Sequence, residues 1–217
     1  MNRAFIFDMD GVIVNSEPSW EIVEREFFPK MFGAAVASRM PNFVGAGLRR
    51  VLEEARSLGA VFDEAEVVQT YEEIARRVYA RSPITHGVED LTKHLDALGF
   101  KLGLVSQSPV SWMDQVVPRL VFRKLLGAVI SLQDRPDLKR KPAPDGFLEA
   151  FRILNCDPKL SVILEDSDPG IAAGKASGAY TIGFSGNLIE GYKQTGADAY
   201  ANTMGEVASL VATKMKT

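Results

Sequence analysis

Cysteine is nearly absent from this chain of 217 residues, and the single one, Cys156, cannot form an internal disulfide. The N-terminus runs from Met1 almost directly into an apolar stretch with no signal-peptide pattern, so a reducing cytoplasm is the expected location. Long hydrophobic runs are also missing. None approaches the ~20 residues that span a bilayer, so no membrane partner is expected. Neither sign of charge dominates: 25 Lys and Arg against 28 Asp and Glu give a net charge of −3, without a long run of either. That balance leaves no basic footprint for nucleic acid. Histidine is scarce as well. His86 sits beside Gly87, His94 lies on the polar side of a predicted helix, and neither has a companion, which points to structural roles. Cys156, at the end of a predicted helix with no histidine partner, is expected to be a bystander. The remaining composition is that of an ordinary soluble globular protein, long enough for one sizeable core and a smaller inserted module.

The stretch Phe5-Ile-Phe-Asp-Met-Asp-Gly11 is an apolar run that ends in two aspartates. Asp8 and Asp10 would share a face if the strand continued that far, and their charges would repel. A bridging cation or a retained proton makes such a pair tolerable. A strand ending in an Asp-Gly turn needs no function at all, and the stretch by itself leaves both readings open.

After this strand, Asn15-Ser16-Glu17-Pro18 supplies cap-forming side chains and a first-turn proline, predicting a helix to about Phe28 with Pro29 as its stop. Residues 30–45 look irregular. Leu48, Val51, Leu52 and Ala55 then repeat at helical spacing up to Gly59, and Asp63 opens a further helix to about Tyr79. From Ser82-Pro83 onward the pattern alternates: helix 88–98, strand 101–106, helix 109–120, strand 128–131, helix 144–154, strand 161–165, helix 169–177, strand 179–184 and a last helix from about Gly205 to Lys214. That alternation predicts an α/β fold, a Rossmann-like parallel sheet, with an all-α segment inserted in it. The expected division is a core of residues 1–15 and 83–217 and an insert of residues 16–82.

Ligands of open α/β sheets bind outside the carboxyl ends of the strands. Strand one ends in Asp8 and Asp10, strand 101–106 in Ser106-Gln107-Ser108, and strand 161–165 in Glu165-Asp166-Ser167-Asp168, while Lys139-Arg140-Lys141 precedes a helix. Carboxylates for a hard cation, a hydroxyl for phosphate oxygens and an ammonium to neutralise charge suit a phosphoryl group beside a metal. Each element alone has an ordinary explanation. Ser106 could end a strand, Lys141 could be one more solvated cation, and Ser167-Asp168-Pro169 is a good helix start. Glu165 and Asp166, two acids directly after Val162-Ile163-Leu164, have none.

The four segments, in this order and spacing, resemble the four motifs of the haloacid dehalogenase-like superfamily: Phe7-Asp8-Met9-Asp10-Gly11-Val12, Val105-Ser106, Lys141-Pro-Ala-Pro-Asp145, and Glu165-Asp166-Ser167 with Gly170-Ile171-Ala172-Ala173. The match spans residues 5 to about 178. The helical insert is similar to the cap of the β-phosphoglucomutase-like branch, and Val44-Gly45-Ala46-Gly47-Leu48-Arg49 resembles its substrate-facing segment.

The resemblance implies a phosphatase acting on a small phosphorylated metabolite. Asp8 would be the nucleophile that forms an aspartyl phosphate and Asp10 the general acid and base. Mg²⁺ would be held by the Asp8 carboxylate, the Asp10 backbone carbonyl and Asp166, with Glu165 close by, while Ser106, Gln107 and Lys141 would hold the phosphoryl group. Trp20, Gly45 and Arg49 would meet the substrate from the cap. The protein would act as a monomer or weak dimer. Asp10 argues against the dehalogenases of the superfamily, which lack an acid there because a halide leaves without a proton. Where the mutases of the branch often carry a histidine ten residues after the second aspartate, this chain has Trp20, and Glu17-Pro18-Ser19-Trp20 looks more like the phosphatases. Gln107 and Arg140 depart from the pattern, the first in bulk and the second in charge. Two alternatives remain at this level: a phosphosugar mutase of the β-phosphoglucomutase type, and a catalytically silent protein that binds a phosphorylated metabolite.

Overall fold

Every side chain of β1 (Ala4–Phe7) is buried, as a strand covered on both faces requires. The computed structural model describes residues 2–41, 43, 48–188 and 191–215. The other strands are β2 (Lys101–Ser106), β3 (Leu126–Ser131), β4 (Val162–Glu165), β5 (Tyr180–Phe184) and β6 (Ala199–Ala201). Among the described residues they form one sheet of six strands in the order β3-β2-β1-β4-β5-β6, with every pairing parallel. In β1, Phe5 lies opposite Leu102 and Val162, and Phe7 opposite Leu104 and Leu164. The strand order reverses between β1 and β4, so the crevice for a ligand opens at their carboxyl ends.

Alternate residues of β1 serve two cores. Phe5 and Phe7 pack with Leu91 and Leu95 of α5 (Val88–Ala97) and with Phe100 and Phe122. Ala4 and Ile6 pack with Phe147 and Phe151 of α7 (Asp145–Leu154) and Ala173 of α8 (Asp168–Ser177). α6 (Val110–Val116) follows β2, and α9 (Met204–Lys214) ends the described chain. No helix among the described residues is long and apolar enough to cross a membrane.

Between β1 and β2 lie, among the described residues, four further helices: α1 (Glu17–Phe32), α2 (Ala34–Ala37), α3 (Leu48–Ser57) and α4 (Glu64–Arg81). The chain enters and leaves this helical stretch side by side. Val14 bridges antiparallel to Ile84, Asn15 N–H donates to Pro83 O at 2.9 Å and Thr85 N–H to Ile13 O at 2.9 Å.

Four sequence expectations need correction. α1 does not stop at Pro29 but runs on to Phe32, where Gly33 ends it. Phe28 and Phe32, one turn apart, are both buried with ring centroids 5.7 Å apart. Burying such side chains gains about 1.5–3 kcal/mol each, which offsets the ~3 kcal/mol a proline costs inside a helix. Residues 34–37, expected to be irregular, form the short α2. The third correction is β6: Ala-Tyr-Ala carries too short a pattern to announce a strand, and its pairing to β5 defines it. α6 is also shorter than expected, because Pro118 turns its end into a 3₁₀ segment.

Candidate active site

Asp8 follows β1, and its N–H donates to Leu164 O of β4 at 3.0 Å, so its side chain leaves the sheet at the switch point. The strand does not continue to Asp10. The turn at Gly11, with φ 66°, carries the second aspartate away from the first. The two carboxylates then find different partners.

Asp8 Oδ1 accepts a hydrogen bond from Lys141 Nζ at 2.5 Å. The same ammonium donates to Glu165 Oε1 and, at 3.4 Å, to Val105 O, and it lies 5.3 Å from the centre of the Phe147 ring. Burial works against the charged Lys141, yet Asp8 and Glu165 together hold its pKa above the ordinary lysine value. Burial likewise dominates at Asp8 and raises its pKa well above the usual carboxylate range, against the opposing pull of Lys141.

Glu165, expected near the metal, has both oxygens committed elsewhere. Oε1 holds Lys141, while Oε2 accepts from Asp166 N–H at 3.1 Å, Ser167 N–H at 3.2 Å and Ser167 Oγ at 3.1 Å. Its place is that of an anchor for the lysine. Asp166 lies against the Gly11 turn instead: a Cβ added at Gly11 would sit 1.9 Å from Asp166 Oδ2. Only glycine fits there, both for its positive φ and for its missing side chain.

Asp10 is held by hydroxyls. Ser16 Oγ donates to Oδ1 at 3.1 Å, and Ser108 Oγ and Ser106 Oγ donate to Oδ2 at 2.7 and 3.4 Å. Ser16 precedes α1 in the N-cap position without capping it, because its hydroxyl is spent on Asp10. Behind Ser108 stands Tyr79 of α4, whose hydroxyl lies 3.3 Å from Ser108 Oγ and accepts from Trp20 Nε1 at 3.3 Å. Burial first, and then the Asp10 charge, raise the Tyr79 phenol well above its ordinary pKa. Ser108, Ser16 and Tyr79 escape sequence reasoning: the serines pass for a turn and a cap, and Tyr79 falls on an apolar helix stripe.

The donor set fits a divalent cation. Asp8, Glu165 and Asp166 are buried carboxylates, and Lys141 is the one buried ammonium among the described residues, so full ionisation leaves two excess negative charges. Among the described residues no group of three or more Asp, Glu, His or Cys side chains converges as a metal cage. Asp8 and Asp166 line the cavity and Glu165 does not, and the Asp10 side chain is held by serine hydroxyls, so Asp8 and Asp166 are the carboxylates that would meet a cation. Magnesium ordinarily takes one or two carboxylates and keeps several waters.

A cavity of about 820 Å³ opens from Asp8, Asp10, Lys141 and Asp166 toward the helices between β1 and β2. Gln107 and Ser108 line it, whereas Ser106 is fully buried with its hydroxyl turned to Asp10. Trp20 lies in its wall, stacked on Tyr71 with centroids 5.0 Å apart, and Trp112 of α6 joins them at 5.6 and 6.0 Å. Glu72 of α4 ties this wall to α6, accepting from Ser111 Oγ at 2.5 Å and Trp112 Nε1 at 2.6 Å. Arg49 borders the cavity, but its guanidinium is exposed and pairs with Glu53 at 2.8 Å. Gly45 lies outside the described residues. Arg140 donates to Gln133 and makes no described bond to the Asp8 cluster. His86 and His94 are exposed, and neither they nor Cys156 lines the cavity.

The model of the haloacid dehalogenase-like hydrolases matches residues 2–178. Hexitol phosphatase B of Escherichia coli is 31% identical over 181 residues, covering 80% of this chain and 79% of that protein. A phosphoglycolate phosphatase of Psychrobacter arcticus is 26% identical over 193 residues, covering 84% and 83%. The crystal structure of a β-phosphoglucomutase from Clostridium difficile superposes with a TM-score of 0.75 at 22% identity over 100% of this chain and 98% of that one, a likeness of fold. By the family match and the hexitol phosphatase relationship, this chain belongs to the haloacid dehalogenase-like hydrolases and is an enzyme.

Proposed function

We propose that this hydrolase is a Mg²⁺-dependent phosphatase that removes the phosphoryl group from a small phosphorylated metabolite, a sugar phosphate or similar phosphomonoester. The observation that carries the reading is the separation of the two aspartates: Asp8 sits in a buried charge cluster with Lys141, and Asp10 hangs in a cage of hydroxyls. In this reading one carboxylate attacks and the other handles protons. The names of the matching relatives, phosphatases of hexitol phosphate and phosphoglycolate, support the reaction class.

In this reading an Asp8 oxygen attacks phosphorus and the ester P–O bond breaks. Asp10 gives its proton to the departing oxygen. Asp10 then takes a proton from water, whose oxygen attacks the phosphorus of the aspartyl phosphate, releasing inorganic phosphate and restoring Asp8. Lys141 offsets the charge of the phosphoryl oxygens. Gln107 N–H and the Ser106 hydroxyl, whose bond to Asp10 is the longest of the three at 3.4 Å, turn to those oxygens. Asp8, the Asp10 carbonyl and Asp166 would hold Mg²⁺, which when bound neutralises phosphoryl charge as a Lewis acid. Residues 16–82 act as a cap over a core of residues 1–15 and 83–217, with Trp20 and Arg49 bordering the cavity in which the substrate would sit.

The far wall of the cavity favours a neutral, hydroxyl-rich tail over a second anion. It offers aromatic faces and carboxylates, and its cations Arg49 and Arg56 pair with Glu53 and Glu64. A mutase must seat a second phosphate, and for that reason hydrolysis is preferred.

The test is hydrolysis of p-nitrophenyl phosphate and a panel of sugar and polyol phosphates with and without Mg²⁺. Activity should vanish with a chelator and return with Mg²⁺; no metal-dependent turnover on any compound sinks the reading. Conversion of β-glucose 1-phosphate to glucose 6-phosphate instead of free phosphate would establish the mutase. Ser108→Ala should lower kcat on alkyl phosphates by about 10–100-fold, the worth of a hydrogen bond to a charged group. The loss on p-nitrophenyl phosphate should be smaller, because that leaving group needs less help from Asp10. Equal losses on both would remove Ser108 from the positioning of the acid.

A further inference from the structure

The segment after β5 lies beyond residues 2–178, the part that matches the family, yet it grips both loops that carry the metal-side acids. Gln194 Nε2 donates to Asp166 O at 2.5 Å and to Phe184 O at 2.7 Å. Two carbonyl acceptors fix which end of the amide faces them, since an oxygen there would be repelled. Gln194 Oε1 is buried with no hydrogen-bond partner among the described residues, so the side chain is held in place for its donor end at a cost on the other. Gly183 makes the room: a Cβ there would lie 2.8 Å from Gln194 Oε1. Asn187 Nδ2 donates to Gly11 O at 3.1 Å and to Thr85 Oγ1 at 2.7 Å. The same segment also holds Asp168: its N–H donates to Tyr192 Oη at 3.1 Å, and Thr195 N–H donates to its Oδ1 at 2.8 Å.

These bonds converge on one contact. Asn187 holds the Gly11 turn, Gln194 holds the backbone of Asp166, and it is over Gly11 that the Asp166 carboxylate lies. We propose that Gln194 and Asn187, neither of which lines the cavity, are positioning residues for the cation site, setting the Asp166 loop in register with the Asp8–Gly11 turn. Partners of this kind, one shell behind the ligands, orient the ligands and raise affinity.

The inference rests on the magnesium reading and is tested without substrate. Mg²⁺ alone is titrated by calorimetry into the full chain, first stripped with a chelator, for wild type, Gln194→Met and Asn187→Ala. Gln194→Met keeps the length and loses both donors; Asn187→Ala acts on the other loop and decides the matter if the first variant does not fold. The dissociation constant for Mg²⁺ should rise about 10–100-fold in each. A structural role alone would lower the melting temperature of the metal-free variants and leave that constant within about twofold of wild type, and this result overturns the inference. If wild type itself binds no Mg²⁺, the metal reading falls and takes the inference with it, an outcome distinct from equal binding by all three proteins.

Discussion

Asp8→Asn is expected to lower turnover of every phosphate ester by about four orders of magnitude or more, the scale seen when a covalent nucleophile is removed. Its effect on stability should be of the opposite kind. Asp8 is 5% exposed, and burial raises its pKa, so the ionised carboxylate is a cost to the folded state that the neutral amide does not carry. Lys141 keeps its bond to Glu165 in the variant. The melting temperature should therefore stay level or rise while activity disappears. Turnover of p-nitrophenyl phosphate within a hundredfold of wild type, with a matching thermal melt, would show that Asp8 is not the nucleophile.

Lys141→Met should do the reverse and damage both properties. The Lys141 side chain is 3% exposed, and its ammonium stands between two buried carboxylates, Asp8 and Glu165. Taking away one partner of a buried ion pair costs about 3–5 kcal/mol, because the charge left behind has neither water nor counter-ion. For a chain of this size that is a fall of roughly 6–20 °C in melting temperature. Turnover should drop about a hundredfold to a thousandfold through loss of charge stabilisation at the phosphoryl group. The double variant Lys141→Met, Glu165→Gln separates the two losses. Removing the stranded carboxylate should recover a good part of the stability and none of the activity. A Lys141→Met protein that melts like wild type would mean that the cluster contributes nothing to the fold.

Much of this site was legible from residues alone. Asp8, Glu165 and Asp166 stand out because a strand buried on both faces has no packing use for an acid at its end, and the sheet itself follows from apolar runs separated by helical periodicity. Lys141 could be named but not placed, since the sequence does not say that its ammonium reaches both Asp8, just past β1, and Glu165, at the end of β4. The rest was hidden by residues whose type has a commoner explanation. Ser16 passes for a helix cap, Tyr79 for one more residue on an apolar stripe, and Gln194 and Asn187 for ordinary loop amides. Ser16 bonds Asp10 only six residues away, but the others gain their meaning from contacts distant in sequence, 59 residues between Trp20 and Tyr79 and 176 between Asn187 and Gly11. No local pattern encodes such a contact. The extra turn of α1 past Pro29 was missed for a related reason, because a local stop signal yielded to burial of Phe28 and Phe32.

The aromatic wall of the cavity has a practical consequence. The chain contains two tryptophans, and both Trp20 and Trp112 line the cavity, 5.6 Å apart. Their indole N–H groups donate to Tyr79, which leads through Ser108 to Asp10, and to Glu72, which joins α4 to α6. Indole emission responds to the polarity and hydrogen bonding around the ring. All intrinsic tryptophan fluorescence of this protein therefore originates in the wall of its own cavity, and its colour and intensity report, without any attached dye, on what enters.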